Sequence, residues 1–377
     1  MNVLMFGWEL PPKISGGLGT ACYGLTKAMS AHAATAINFV LPRQLQGEDT
    51  SYMRLLPLPE APENHREEII VGAYNNGILP DVLAYAERTT QLFGVTTVDI
   101  IHAHDWLTIP AALRARAHRQ APFVLHIHST EYDRAQDRAD PAIVAIERDG
   151  LLAADLVIAV SAVTKRDIVA RYGIAESKIA VVHNGLTTSQ APRLPRERKY
   201  ISFISRVSSQ KGPRYFLEAA RLALQVDPNL QFVMAGDGDQ LPLMKALAHE
   251  SRMDANICFP GFLSNEEMAI LLDQSAAYVM PSVAEPFGIA ALEAVDRYTP
   301  VILSEHCGVC EVLQHAIKIR PDDVEELARA MLTIVRRPAQ AQAMAERAAT
   351  QIEQLTWENA AARTLNLYRQ LGDFSRT

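Results

Sequence analysis

The chain has 377 residues, 49% hydrophobic and 21% charged, with a formal net charge of -7 and a sequence pI of about 5.9. That length exceeds one ordinary core and predicts two domains. The acidic balance argues against a general nucleic-acid binder, and no apolar run is long enough to span a bilayer. Residues 1–6 lack a basic segment and a cleavage site, so they read as a first strand, and the cytoplasm is the expected location.

After that strand, residues 7–20 form a loop with two prolines and three closely spaced glycines, Gly16, Gly17 and Gly19, running into a helix at 22–30. Glycines there let backbone N–H groups approach a ligand, although the string is not a G-x-G-x-x-G fingerprint. A strand is expected near 36–41 and a helix at 79–93, with the polar stretch 43–75 between them unassigned. Residues 98–106, VDIIHAHDW, read as a strand with a polar tip, followed by a helix at 109–118 that is basic on one side (Arg114, Arg116, Arg119). At 123–133 a strand runs into His126, His128, Glu131, Tyr132 and Asp133. Strand alternation puts His126 and His128 on one side, where they also fit a metal pair that Glu131 or Asp133 would join. Further on, a helix at 139–152, a buried strand at 155–161, a helix at 164–172 capped by Ser161, and a strand at 179–182 follow.

Residues 187–199 are rich in Pro and Arg and show little apolar periodicity, which marks a linker. The pattern then restarts with a strand at 200–204. The loop that follows holds Arg206 and Lys211 just before a helix opened by Pro213. Two cations beside the free N–H groups of a helix start make a diphosphate clamp. Strands are expected at 231–235, 257–259 and 301–303. The turn Gly236-Asp237-Gly238-Asp239 looks like a D-x-D metal motif but reads better as a nucleotide-side turn. The stretch 281–295, PSVAEPFGIAALEAV, follows a buried strand at 277–280. Pro286, Phe287 and Gly288 signal a turn, and good helix formers begin at Ile289. Glu285 is thereby placed in a loop and Glu293 about one turn into a helix. Helices at 321–335, 339–354 and 357–371 complete the reading. Of the four cysteines (Cys22, Cys258, Cys307, Cys310), Cys307 and Cys310 match C-x-x-C. No second Cys/His pair lies at ligand spacing, with His306 and His315 the only neighbours, so two reduced thiols are expected.

The string P-S-x-x-E-P-F-G-x-x-x-L-E-A resembles the signature of the retaining nucleotide-sugar glycosyltransferases that include glycogen, starch and sucrose synthases. The resemblance extends to the Gly-Gly-Leu loop, to H-x-H-D-W at 102–106, and to R-x-x-x-x-K-G at 206–212. It implies a GT-B architecture: an N-terminal acceptor-side Rossmann-like domain (1–186), a linker (187–199), a nucleotide-sugar-binding Rossmann-like domain (200–356) facing it across a cleft, and a last helix (357–377) crossing back. By the same resemblance Glu285 and His128 lie at the transferred sugar, and Arg206 and Lys211 hold the diphosphate. Gly16, Gly17, Phe287, Gly288 and Ile289 line the donor, Glu293 binds the ribose hydroxyls, and Asp105, Trp106, Glu131, Tyr132 and Asp133 lie on the acceptor side. Three departures stand out. Two residues rather than one separate Lys13 from Gly16, Ser205 replaces a usual Gly, and residues 304–310 lack a common Gly-Gly pair.

The implied reaction is transfer of a hexose, glucose first, from a nucleotide diphosphate sugar to an acceptor hydroxyl with retention of anomeric configuration. An α-glucan or oligosaccharide is the first acceptor. Neither a metal nor a cofactor is expected, because cations and helix N-termini meet the leaving charge. The alternatives are a small-sugar, lipid or cell-envelope acceptor, a same-fold sugar-nucleotide epimerase, and a non-catalytic sugar-binding protein.

Overall fold

The computed structural model describes residues 1–11, 17–43, 50–59, 76–92, 94, 97–188, 191–193 and 198–374. The chain divides into two compact units, Met1–Gly185 with Leu355–Thr377, and Leu186–Gln354.

In the first unit, strands β1 (Asn2–Phe6), β2 (Ala36–Val40), β3 (Arg54–Leu56), β4 (Ile100–His104), β5 (Phe123–Ile127), β6 (Leu156–Ala159) and β7 (Ile179–Val181) form one sheet in the order β3-β2-β1-β4-β5-β6-β7. Every pairing is parallel. Helices α1 (Gly17–Ser30), α2 (Leu79–Thr89), α3 (Ile109–His118), α4 (Glu131–Ala135), α5 (Pro141–Ala153) and α6 (Ala162–Tyr172) connect the strands. The middle strands β4 and β5 are buried along their whole length, as expected of a parallel sheet covered on both faces.

The second unit repeats the plan. Strands β8 (Tyr200–Ile204), β9 (Gln231–Ala235), β10 (Ile257–Gly261), β11 (Ser275–Met280), β12 (Val301–Ser304) and β13 (Ile317–Ile319) run in the order β10-β9-β8-β11-β12-β13, again all parallel. Its helices are α7 (Pro213–Val226), α8 (Leu241–Glu250), α9 (Asn265–Asp273), α10 (Ile289–Asp296), α11 (Val324–Arg336) and α12 (Pro338–Ile352). Phe203, Phe216, Phe232, Met234, Val279 and Met331 centre its core. Helix α13 (Trp357–Phe374) returns to the first unit, where it packs on α1.

Both sheets therefore have the Rossmann order, with the first strand in the middle and the fourth beside it. The direction of winding reverses between β1 and β4 in one unit, and between β8 and β11 in the other. Ligands of such sheets bind beyond the carboxyl ends of the strands at that reversal. In the second unit these ends are Ile204 and Met280, and they open into the loops that carry Arg206, Lys211 and Glu285.

Several element boundaries differ from the sequence expectation. α1 begins five residues earlier than expected, at Gly17. β4 stops at His104, because Asp105 takes a positive φ of 55° and breaks the strand before Trp106. Residues 131–135, for which the sequence reading assigns no element beyond a polar cluster, form helix α4 under a capping box between Thr130 and Asp133. The strands at 54–56 and 317–319 and the helices at 241–250 and 265–273 carry no expectation in the sequence reading. The basic face of α3 is largely paired: Arg114 meets Glu87 at 2.9 Å and Arg116 meets Asp155 at 3.0 Å.

Candidate active site

The loops after β8 and β11 are joined backbone to backbone. Val283 N–H donates to the Gln210 carbonyl at 2.9 Å, and the Gln210 side-chain amide donates to the Ala284 carbonyl at 3.0 Å. This places Lys211 Nζ 2.6 Å from Glu285 Oε2, with both side chains mostly buried. The Ser282 hydroxyl donates to the same carboxylate oxygen at 3.4 Å. Gly212 turns the chain with φ +68° as it enters α7, and a Cβ there would sit 2.1 Å from the Pro281 carbonyl oxygen. Only glycine lets the two loops approach so closely.

A third loop braces the second from behind. Gly308 N–H donates to the Glu285 carbonyl and Val309 N–H to the Phe287 carbonyl, each at 2.8 Å, and Glu285 bridges Cys307 in the manner of a parallel strand. The C-x-x-C pair sits in this brace. The Cys307 thiol is buried and pushed well up by desolvation, and desolvation takes Cys310 up to about 11. Both are free thiols, and such values keep them protonated. Residues 304–310 thus brace the loop without the Gly-Gly pair the family often has.

Gly288, at φ +108°, caps α10, and Phe287 packs inward beside it. The first N–H groups of α10 face no intrahelical acceptor. Glu293 lies one turn in. Among the described residues, no hydrogen bond or ion pair engages its carboxylate. Burial first, then the neighbouring Asp296, pushes its pKa up to about 7. Arg206 is half-buried in the loop after β8. That loop is locked to the turn 236–238: Ser205 N–H donates to Ala235 O at 3.1 Å and Val207 N–H to Asp237 O at 2.9 Å. Gly236 passes so close that a Cβ would stand 1.9 Å from the Ser205 carbonyl. The glycine of the close approach stands on the partner turn, and Ser205 fits where the family usually has Gly.

In the first unit, Lys13 and Gly16 lie outside the described residues, and Gly17 is the first residue of α1. Asp105 and His128 are brought together: Asp105 Oδ1 accepts from the backbone N–H of His128 at 2.6 Å and of Ser129 at 3.3 Å. Burial nonetheless raises the Asp105 carboxyl to about 7. His128 is buried with its Nε2 2.9 Å from His104 Nδ1, and desolvation lowers its pKa to about 3, so the ring is neutral.

Trp106 is fully buried and its indole N–H has no partner among the described residues. This is the placement of a core side chain. Asp133 is spent on capping α4. Glu131 Oε2 meets Arg134 at 3.3 Å, and its Oε1 accepts from the Asp140 N–H at 3.1 Å. Both acids are buried and hydrogen-bonded within the first unit. Tyr132 stacks edge-on with Tyr172 under the Arg171 guanidinium. The network also contains residues absent from the sequence reading. Glu147, almost completely buried, accepts from the Glu131 N–H, from Arg134 at 2.8 Å and from the Tyr172 hydroxyl. A glutamate at a buried position of an amphipathic helix was the one available signal for it.

The GT-B glycosyltransferases have this pair of Rossmann-like units, and comparison with known proteins extends the likeness. The profile of the glycosyl transferases group 1 matches residues 187–351, and that of glycosyltransferase family 4 matches residues 15–190. Together the two matches run from residue 15 to residue 351, and the chain is a glycosyltransferase of GT-B fold. It is 28% identical over 392 residues to a glycogen synthase of Mycobacterium tuberculosis, covering 98% of this chain and 94% of that protein. It is 27% identical over 410 residues to an alpha-maltose-1-phosphate synthase of Mycolicibacterium smegmatis, covering 98% and 100%. Among solved structures, a sucrose-phosphate synthase from Thermosynechococcus elongatus superposes with a TM-score of 0.80 over the whole of both chains at 21% identity. No helix among the described residues is long and apolar enough to cross a membrane.

Proposed function

We propose that the protein transfers glucose from a nucleotide diphosphate sugar to a carbohydrate hydroxyl with retention, and that an α-glucan is its acceptor. The observation that carries this reading is the Lys211–Glu285 pair, held at 2.6 Å by two loops at the strand reversal of the second unit. A cation there meets the diphosphate charge as it develops, and the carboxylate beside it faces an oxocarbenium-like sugar. Lys211 is shared: it orients Glu285 before the donor arrives and turns to the leaving phosphate afterwards. Arg206 supplies the second positive charge, and the N–H groups at the start of α10 supply a partial one. Glu293 accepts from the ribose hydroxyls. With these charges in place the transfer needs no divalent ion at the donor. The retaining course assigned is front-face attack, with Glu285 stabilising the sugar and the leaving phosphate taking the acceptor's proton. The four free cysteines suit the reducing cytoplasm, the proposed location.

A small phosphorylated acceptor is the second reading, favoured by the relatives named as alpha-maltose-1-phosphate synthases. Nucleotide release from ADP-, UDP- and GDP-glucose, measured in EDTA with maltooligosaccharide, with glucose 1-phosphate or with neither, separates these. Release that rises with the oligosaccharide supports the glucan reading, and release that rises only with the sugar phosphate supports the second. Epimerised donor without any acceptor response overturns both.

A further inference from the structure

The core of the first unit holds a feature that glycosyl transfer leaves unused. β4 and β5 pair in parallel with His104 opposite His126, and His102 lies two residues before His104. Alternation along the strands sends all three imidazoles to one face of the sheet. Their rings are stacked or tilted against one another, with centroids 4.5 Å apart for His102 and His104, 5.5 Å for His102 and His126, and 5.4 Å for His104 and His126. All three are essentially without solvent contact.

Only two of their six ring nitrogens have a partner among the described residues. His102 Nδ1 bonds the Tyr368 hydroxyl of α13, and His104 Nδ1 bonds His128 Nε2 at 2.9 Å. The remaining nitrogens, Nε2 of His102, Nε2 of His104 and both of His126, are buried with no partner among the described residues. Buried polar atoms are normally satisfied, and a cluster of orphans on one face calls for a missing partner. One nitrogen from each of the three rings lies within 4.8 Å of the others.

We propose that His102, His104 and His126 bind a late first-row divalent cation, zinc in the first instance, inside the first unit. Imidazole nitrogen is a preferred donor for these ions, and no carboxylate or thiol belongs to the set. A tetrahedral ion with nitrogens at about 2.0–2.1 Å draws its ligands to roughly 3.4 Å from one another, a modest contraction of the spacing present. For His102 and His104 the pattern of engaged nitrogens is the one metal-bound histidines show, while His126 keeps both nitrogens unengaged. One ring nitrogen is oriented by an outer partner, here Tyr368 and His128, and the other is left for the ion. Burial keeps all three rings neutral, the form that binds. The ligands differ from those the sequence offered for a metal, since His128 is an outer partner and Glu131 and Asp133 are committed elsewhere. The ion's role is structural. It ties β4 to β5 and, through Tyr368, to α13, and because none of its ligands reaches solvent it is taken up during folding.

The test is metal content. Protein from zinc-supplemented growth is denatured in guanidinium with a chromophoric chelator, and zinc release is read per chain. Zinc-free protein is also refolded with cobalt, whose visible absorption reports nitrogen ligation. We expect stoichiometric zinc and cobalt bands from the parent chain and neither from His126→Gln. Tyr368→Phe keeps every ligand and the ring volume, and it should weaken zinc retention against a competing chelator by about ten-fold or more. That second variant keeps the question answerable if His126→Gln does not fold. A parent chain with no zinc and no cobalt bands overturns the proposal. So does zinc release unchanged in either variant.

Discussion

Lys211 Nζ and Glu285 Oε2 stand 2.6 Å apart in a pocket of backbone that three loops have closed around them. Truncating Lys211 removes a charge whose partner grows in the transition state, so Lys211→Ala should lower kcat by about a hundred-fold or more while changing the donor KM much less. Unchanged turnover would sink the clamp. Glu293 gives a second prediction, with a sign that can be worked out. Its folded pKa, about 7, stands above the ordinary 4.5, so the folded chain holds the proton more tightly than the unfolded chain does. The stability this contributes is complete below the ordinary value and is lost as pH rises through about 7. Melting temperature followed from acid to neutral pH should fall more steeply for the parent than for Glu293→Gln. Donor KM should move the other way, improving as pH rises through 7, because the ribose hydroxyls need an ionised acceptor. Parallel melting curves, or a flat KM, would remove Glu293 from that role.

At the level of elements, how much was legible depended on what kind of signal each one carries. Helix α10 starts at Ile289 and α7 at Pro213, as read from Gly288-Ile289 and from the N1 preference of proline. Strands β8 and β9 and helix α3 also fall on their expected bounds. These segments have local punctuation. Helix α8 carries a weak apolar signal because it presents two buried residues, and the punctuation of α9 is its capping box, Ser264 with Glu267. At the site, charge and spacing identified Arg206, Lys211 and Glu285. What sequence could not give is the register between distant loops. Gln210 is an ordinary polar residue until its amide meets Ala284, 74 positions away, and Trp106 looks like a ligand contact until the positive φ of Asp105 turns it into the core. The same inter-loop register makes a glycine testable. Gly212→Ala adds a Cβ 2.1 Å from the Pro281 carbonyl at a φ of +68°. It should cost at least ~1–2 kcal/mol of stability in thermal or denaturant unfolding. It should also depress turnover, because the loops must part and Lys211 leaves Glu285. A fully active and stable variant would show that the close approach is dispensable.

The whole molecule is an insertion. One compact unit, Leu186–Gln354, is uninterrupted in sequence, whereas the other draws on both ends of the chain. The second unit keeps its own core from Ile201 to Ala341 and every strand of its sheet. The first unit's sheet is also complete before residue 186, but its packing is not. Trp357 of α13 fills the space over Gly24 of α1, where a Cβ would lie 2.2 Å from the indole. Its backbone lies over Gly185, and Tyr368 of the same helix reaches His102 in the middle of the sheet. Removing α13 therefore uncovers one face of α1 and strips a buried hydroxyl from a buried imidazole. Loss of the buried Trp357 side chain alone is worth about 3–5 kcal/mol, a large share of the stability of one domain. Expressed separately, residues 186–354 should unfold in one cooperative transition, while residues 1–185 should be poorly soluble or molten. Adding a peptide of residues 355–377 to the latter should restore a cooperative transition. If 1–185 folds as well without the peptide as with it, α13 is an appendage rather than part of the first unit's core, and the unit's dependence on both chain ends is refuted.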